Sequence, residues 1–114
     1  MSDERLPAHV EVAGLLRRAQ ASGDFATVLR KGDPDRGSLI LVVTSRGSLV
    51  AILERILGLD GSYVWQRSSH DDSPSSINVV NFLARRARFD EDIWAVELDI
   101  ADPERFIAET TGLG

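Results

Sequence analysis

Apolar residues along this chain fall into two rhythms that replace one another from end to end. Ala8, Val12, Leu15, Leu16 and Ala19 recur at helical spacing, while Arg17, Arg18 and Gln20 lie off that stripe. The spacing predicts a helix with one apolar face. Pro7 suits its first turn, where a missing N–H costs nothing, and Gly23 closes it near residue 22. The rhythm then shortens to the strand period. Phe25 to Lys31, Ser38 to Thr44, Leu49 to Leu57 and Tyr63 to Arg67 read as four strands. Leu39 to Val43 is apolar at every position, as in a strand covered on both faces. Ser45-Arg46-Gly47 and Asp60-Gly61 are short turns, the second a strong hairpin signal. By the spacing of their turns, these four strands are expected to form an antiparallel meander.

A second helix is expected from Pro74, with Ser73 as N-cap. Val80, Leu83, Ala84 and Ala87 form its apolar stripe, and Asn78, Asn81, Arg85 and Arg88 a polar row. Trp94 to Ile100 alternates cleanly. Trp94, Val96, Leu98 and Ile100 point one way, and Ala95, Glu97 and Asp99 the other. Asp102-Pro103 opens a last short helix that docks through Phe106 and Ile107. The predicted order is α-β-β-β-β-α-β-α. This is an α+β fold: a two-layer domain over residues 1–114, its ends 1–6 and 111–114 frayed. About five strands form a mostly antiparallel sheet, with two to three helices on one face. Which strand neighbours the fifth is not readable.

Composition narrows the chemistry. The chain has 114 residues and no cysteine, which excludes disulfides, thiolate catalysis and cysteine-ligated zinc. No apolar run exceeds five residues, where a membrane helix needs about 20. The start, Met1-Ser2-Asp3-Glu4-Arg5, is polar and unlike a secretory signal. A cytoplasmic protein is therefore expected, with no membrane partner. Net charge is −5, which argues against nucleic-acid binding through phosphate neutralisation. The acids concentrate late: residues 90–114 hold eight against one arginine. Twelve arginines accompany a single lysine, Lys31.

Lys31 lies in the densest polar segment, Arg30-Lys31-Gly32-Asp33-Pro34-Asp35-Arg36-Gly37-Ser38. Lys31, Asp33, Asp35 and Arg36 are the candidate binding residues. Gly32 and Gly37 would permit positive φ, and Asp-Pro-Asp is ordinary turn chemistry. A calcium loop is excluded, because its fifth, sixth and twelfth positions fall on Gly37, Ser38 and Thr44. Glu54, Glu97 and Asp99 are the candidate catalytic acids. Glu54 and Arg55 interrupt an apolar strand, so one charge points to each face and needs a partner where it is buried. Glu97 and Asp99 share a face, as paired acids for proton transfer would, although alternation alone places polar residues there. His70-Asp71-Asp72 reads as a solvated loop, Arg85-Arg86-Arg88 as a solvated helix end, and Trp65 and Trp94 as core anchors. No phosphate loop, nucleophile elbow or zinc motif occurs. No metal or cofactor is expected.

Several segments carry a family resemblance: Gly23 to Gly37 with its Lys-Gly-Asp-Pro-Asp turn, Leu53-Glu54-Arg55-Ile56, Phe82 to Arg86, Trp94 to Ile100, and Glu104 to Glu109. Together they resemble the family known as domain of unknown function 1491, over nearly the whole chain. The resemblance implies a small bacterial cytoplasmic protein and carries no activity or catalytic residue. From the residues themselves, the leading expectation is a non-enzymatic binding or protein-interaction module. One alternative is an enzyme acting on a small anionic substrate, held by Lys31 or Arg36, with Glu54, Glu97 or Asp99 as base. Another is a homodimer joined through the charged loop and the exposed parts of Val79, Phe82 and Phe89.

Overall fold

The strand whose run Leu39 to Val43 is apolar at every position takes the middle of the sheet. A computed structural model describes residues 6–68 and 78–111. It contains α1 (Ala8–Ala21), β1 (Phe25–Arg30), β2 (Leu39–Ser45), β3 (Ser48–Leu57), β4 (Tyr63–Arg67), α2 (Val79–Phe89), β5 (Trp94–Asp99) and α3 (Pro103–Thr111). The element order and the α+β class are those expected from the sequence. The five strands lie in the order β1-β5-β2-β3-β4. β5 runs parallel to β2, and every other pair is antiparallel.

The expected meander is thus corrected at one place. β1 does not pair with β2; β5 inserts between them. Burial explains the insertion. Leu39 to Val43 and Trp94 to Val96 are all buried, and these two apolar runs lose most water by lying side by side in the centre. The connection from β1 to β2 therefore passes the end of β5.

Alternation along β2 sorts the core into two halves. Leu39, Leu41 and Val43 join Ala8, Val12, Leu53, Val96 and Ile107 on the face that carries α1 and α3. Ile40 and Val42 join Ile52, Phe82 and Ile93 on the opposite face, under α2. Helices therefore cover both faces, which corrects the expected two-layer arrangement. Leu83 and Val79 of α2 can pack only against the side chains that α1 and α3 leave uncovered.

The helix ends follow local chemistry. Gly23, at φ 78°, ends α1. The Asp24 N–H reaches the Ala19 carbonyl at 2.8 Å and the Gly23 N–H that of Gln20 at 3.1 Å, the paired bonds of a left-handed C-terminal cap. α2 begins at Val79, five residues later than expected, because the Asn78 side chain accepts from the Asn81 N–H. Ser73, Pro74 and His70-Asp71-Asp72 lie outside the described residues. Asp102 caps α3 through the Arg105 N–H, as expected.

Candidate functional site

The charged loop between β1 and β2 is tied down on three sides. The Asp33 carboxylate accepts from the Asp35 and Arg36 N–H groups at 3.2 and 2.7 Å. The Asp33 carbonyl accepts from the Trp94 indole at 2.7 Å, and the Asp33 N–H donates to the Asp92 carbonyl at 3.0 Å. Farther along, the Pro34 and Asp35 carbonyls accept from the His9 and Ala8 N–H groups, amides at the start of α1 that have no partner within the helix. The loop thus caps α1 and clasps the start of β5. Gly32 and Gly37 are required for closeness and not for positive φ, which corrects the turn expectation. A Cβ at either would run into the Asp92 carbonyl, and at Gly37 also into the Trp94 ring. Of the four candidate residues here, Asp33 is used by the fold. Lys31, Asp35 and Arg36 have exposed side chains.

The three candidate acids separate as well. Glu54 receives a hydrogen bond from Arg86 of α2 at 2.8 Å, and Arg86 also lies over the Phe82 ring. Asp99 accepts from the Arg46 and Gly47 N–H groups at 2.9 and 3.1 Å. Those residues have φ of 54° and 82° and form the two-residue turn from β2 to β3. Such turns match the twist of the strands, but the left-handed backbone is unfavourable for arginine. Asp99 holds this turn from the neighbouring strand. Of the three, Glu97 faces the cavity under α2. On the other face, Arg55 meets both carboxylate oxygens of Glu11 at 2.6 and 2.8 Å and lies over Trp65 and Tyr63. Glu54 and Arg55 do point to opposite faces, and each meets a helix.

The cavity, of about 540 Å³, opens between the first half of α2 and strands β1, β5 and β2. Val42, Leu49, Val79, Leu83 and Leu29 supply apolar wall, and Arg30, Thr44 and Glu97 the side-chain polar groups. The Thr44 hydroxyl donates to Glu97 Oε2 at 2.9 Å, and Thr44 is the one buried polar residue among those described. Arg30 Nη2 donates to the Glu91 carbonyl at 3.0 Å. Its Nε is buried with no hydrogen-bond partner among the described residues.

Two β-bulges aim residues at this space. Val28 lies opposite Val96, and Arg30 opposite Ala95, so Leu29 is an extra residue in β1. Strict alternation would have turned Arg30 to the α1 face with Ala26, which packs there. The bulge puts it on the face of Glu97. On β3, Val43 lies opposite Ala51 and Thr44 opposite Leu49, so Val50 is extra and Leu49 faces α2. Bulges commonly re-aim side chains beside functional sites. Sequence alternation found Glu97 but missed Thr44 and the facing of Arg30. The one available signal was the lone hydroxyl at the end of an apolar strand.

The family model described as "Protein of unknown function (DUF1491)" matches residues 6–108. The chain belongs to this family. Two solved structures of a DUF1491 family protein from Caulobacter crescentus CB15 superpose on it. The crystal structure is 33% identical, with a TM-score of 0.73 over 84% of this chain and 89% of that one. The NMR structure is 32% identical, with a TM-score of 0.72 over 86% and 88%. The solution structure of protein Atu0922 from A. tumefaciens shares the fold, with a TM-score of 0.68 over 86% of this chain and 88% of that one, at 23% identity. No curated protein matches. Membership in DUF1491 thus accounts for the fold and leaves the chemistry to the residues. Among the described residues, no helix is long and apolar enough to cross a membrane.

Proposed function

We propose that this DUF1491 member is a binding module for a small molecule with an apolar body, taken up in the cavity under α2. One observation carries the reading. Arg30 and Glu97 line the same apolar-walled space, yet no ion pair joins them. Ionised groups at such a site favour a partner, and here each is tethered apart: Glu97 toward Thr44 of β2 and Arg30 toward the Glu91 carbonyl before β5. Small-ligand sites combine apolar walls with a few fixed polar groups in this way. The test is amide NMR of the full chain during titration with a set of small polar and apolar fragments. Shifts should concentrate at Leu29, Val42, Leu49 and Leu83, and should vanish in Ala84→Phe, which fills the cavity from an exposed helix position. Shifts centred on residues 31–37, or shifts that survive Ala84→Phe, would overturn the reading.

A second reading has one observation in its favour. Glu97 is the only one of the three candidate acids that faces the cavity, where it would serve as general base toward a bound substrate. Time-dependent conversion of the ligand, lost in Glu97→Gln with binding retained, would select catalysis over binding. A ligand recovered unchanged removes it. Of the expected homodimer surface, Phe82 is buried at 2% exposure against Ile40, Val42 and Ile52 and is not available, while Phe89 is 91% exposed.

A further inference from the structure

We infer that the ligand class of this cavity is a small zwitterion of the α-amino-acid type with an apolar side chain. The inference rests on the binding reading above and goes further, because the arrangement of charge discriminates among small molecules. A purely anionic ligand would satisfy Arg30 but would lie in the same space as the Glu97 carboxylate. A purely cationic one would satisfy Glu97 at the cost of meeting the Arg30 guanidinium. A neutral apolar one would cover both charges and pair neither, the most costly arrangement.

A molecule with a carboxylate and an ammonium a few ångströms apart answers both groups. Its carboxylate accepts from the Arg30 guanidinium, which lines the cavity. Its ammonium donates to Glu97, whose Oε2 already accepts from Thr44 and is fixed in place by that bond. The strand register sets a suitable separation. Arg30 lies opposite Ala95 on β5, two residues from Glu97 on the same face. Side chains so related start about 7–8 Å apart. Val42, Leu49 and Leu83 then receive an apolar side chain. Such a ligand places charge-assisted hydrogen bonds at both ends, the stronger kind.

The experiment titrates the full chain with three probes, read by amide NMR at the cavity residues. L-Leucine carries both charges, N-acetyl-L-leucine lacks the ammonium, and L-leucinamide lacks the carboxylate. L-Leucine should bind at least tenfold more tightly than either analogue. Glu97→Gln, which keeps an acceptor for the Thr44 hydroxyl, should weaken L-leucine at least tenfold and leave N-acetyl-L-leucine unchanged. If an analogue binds as well as L-leucine, or Glu97→Gln leaves L-leucine unaffected, the zwitterion inference is overturned while the cavity remains a binding site. The zwitterion is likewise overturned if none of the three binds but other fragments shift the cavity residues. If nothing shifts them, both the inference and the binding reading fall.

Discussion

On the sheet face that carries α1 and α3, the Arg55 cation meets an opposite charge, although its Nε, like that of Arg30, is buried without a hydrogen-bond partner among the described residues. Arg55 has 9% of its side chain exposed and gives two hydrogen bonds to Glu11, with aromatic rings beneath it. On the α2 face, Glu54 and Arg86 form one pair at the rim, but Arg30 and Glu97 stay apart across an open cavity. The same sheet has treated similar side chains in two ways. Where helices close over the strands, a charge without a partner is costly and is matched. Where α2 packs through Phe82 with Ile40, Val42, Ile52 and Ile93, the cavity beside it keeps Arg30 and Glu97, each hydrogen-bonded but not paired with the other. Under the proposed binding role, that contrast separates residues kept for stability from residues available to a ligand.

The comparison is broken most directly by removing one acid from each face. Glu11→Ala strands the Arg55 cation in a closed layer and should cost about 3 kcal/mol in urea unfolding. Glu97→Ala should cost about 1 kcal/mol, because only the hydrogen bond from the buried Thr44 is lost and its hydroxyl can still turn to the Leu98 carbonyl, at 3.5 Å. Equal losses would make the two faces energetically alike. The loop between β1 and β2 offers a smaller contrast. Gly37→Ala forces a methyl into the Asp92 carbonyl and Trp94 ring and should cost about 2 kcal/mol. Lys31→Ala changes an exposed side chain and should stay within about 0.5 kcal/mol. A large loss from Lys31→Ala would place that side chain in the fold after all.

Smaller again is the turn that Asp99 holds. Arg46→Gly relieves a φ of 54° and should raise stability by about 1 kcal/mol; a fall would show that the arginine side chain itself is needed there. The smallest effect belongs to the tip of the β3–β4 hairpin. The Ser62 hydroxyl, and then its N–H, hold the Asp60 carboxyl below its ordinary value of 3.8. A lowered folded-state pKa contributes stability that is present above 3.8 and is lost as pH falls through the lower folded value. The Ser62 amide resonance should therefore titrate below pH 3.8, and Asp60→Ala should remove that titration. A Ser62 midpoint at or above 3.8 would contradict the hydrogen-bonded turn.

Particular residues show how far the sequence alone reaches. Leu39 to Val43 and Trp94 to Ile100 declare themselves as strands, and their burial follows from composition. Strand order does not, because pairing depends on tertiary burial and only partly on chain proximity. The segment between Arg30 and Leu39 is long for a hairpin loop, and its length reflects passage past β5. Glu97 and Asp99 look equivalent by alternation, yet one faces a cavity and the other holds a turn of a neighbouring strand. Arg30 was unreadable because a one-residue bulge reverses its facing. Gly32 and Gly37 were legible as special positions, but their reason, a carbonyl more than fifty residues away, was not.

The central claim is that Glu97 serves a ligand and not the fold. It is tested by the equilibrium urea unfolding of Glu97→Gln beside the parent chain. The account predicts stabilities equal within about 0.5 kcal/mol, since the Thr44 hydroxyl keeps its acceptor and no buried ion pair is broken. A loss of about 2 kcal/mol or more would show that the Glu97 charge supports the fold, and would contradict the account.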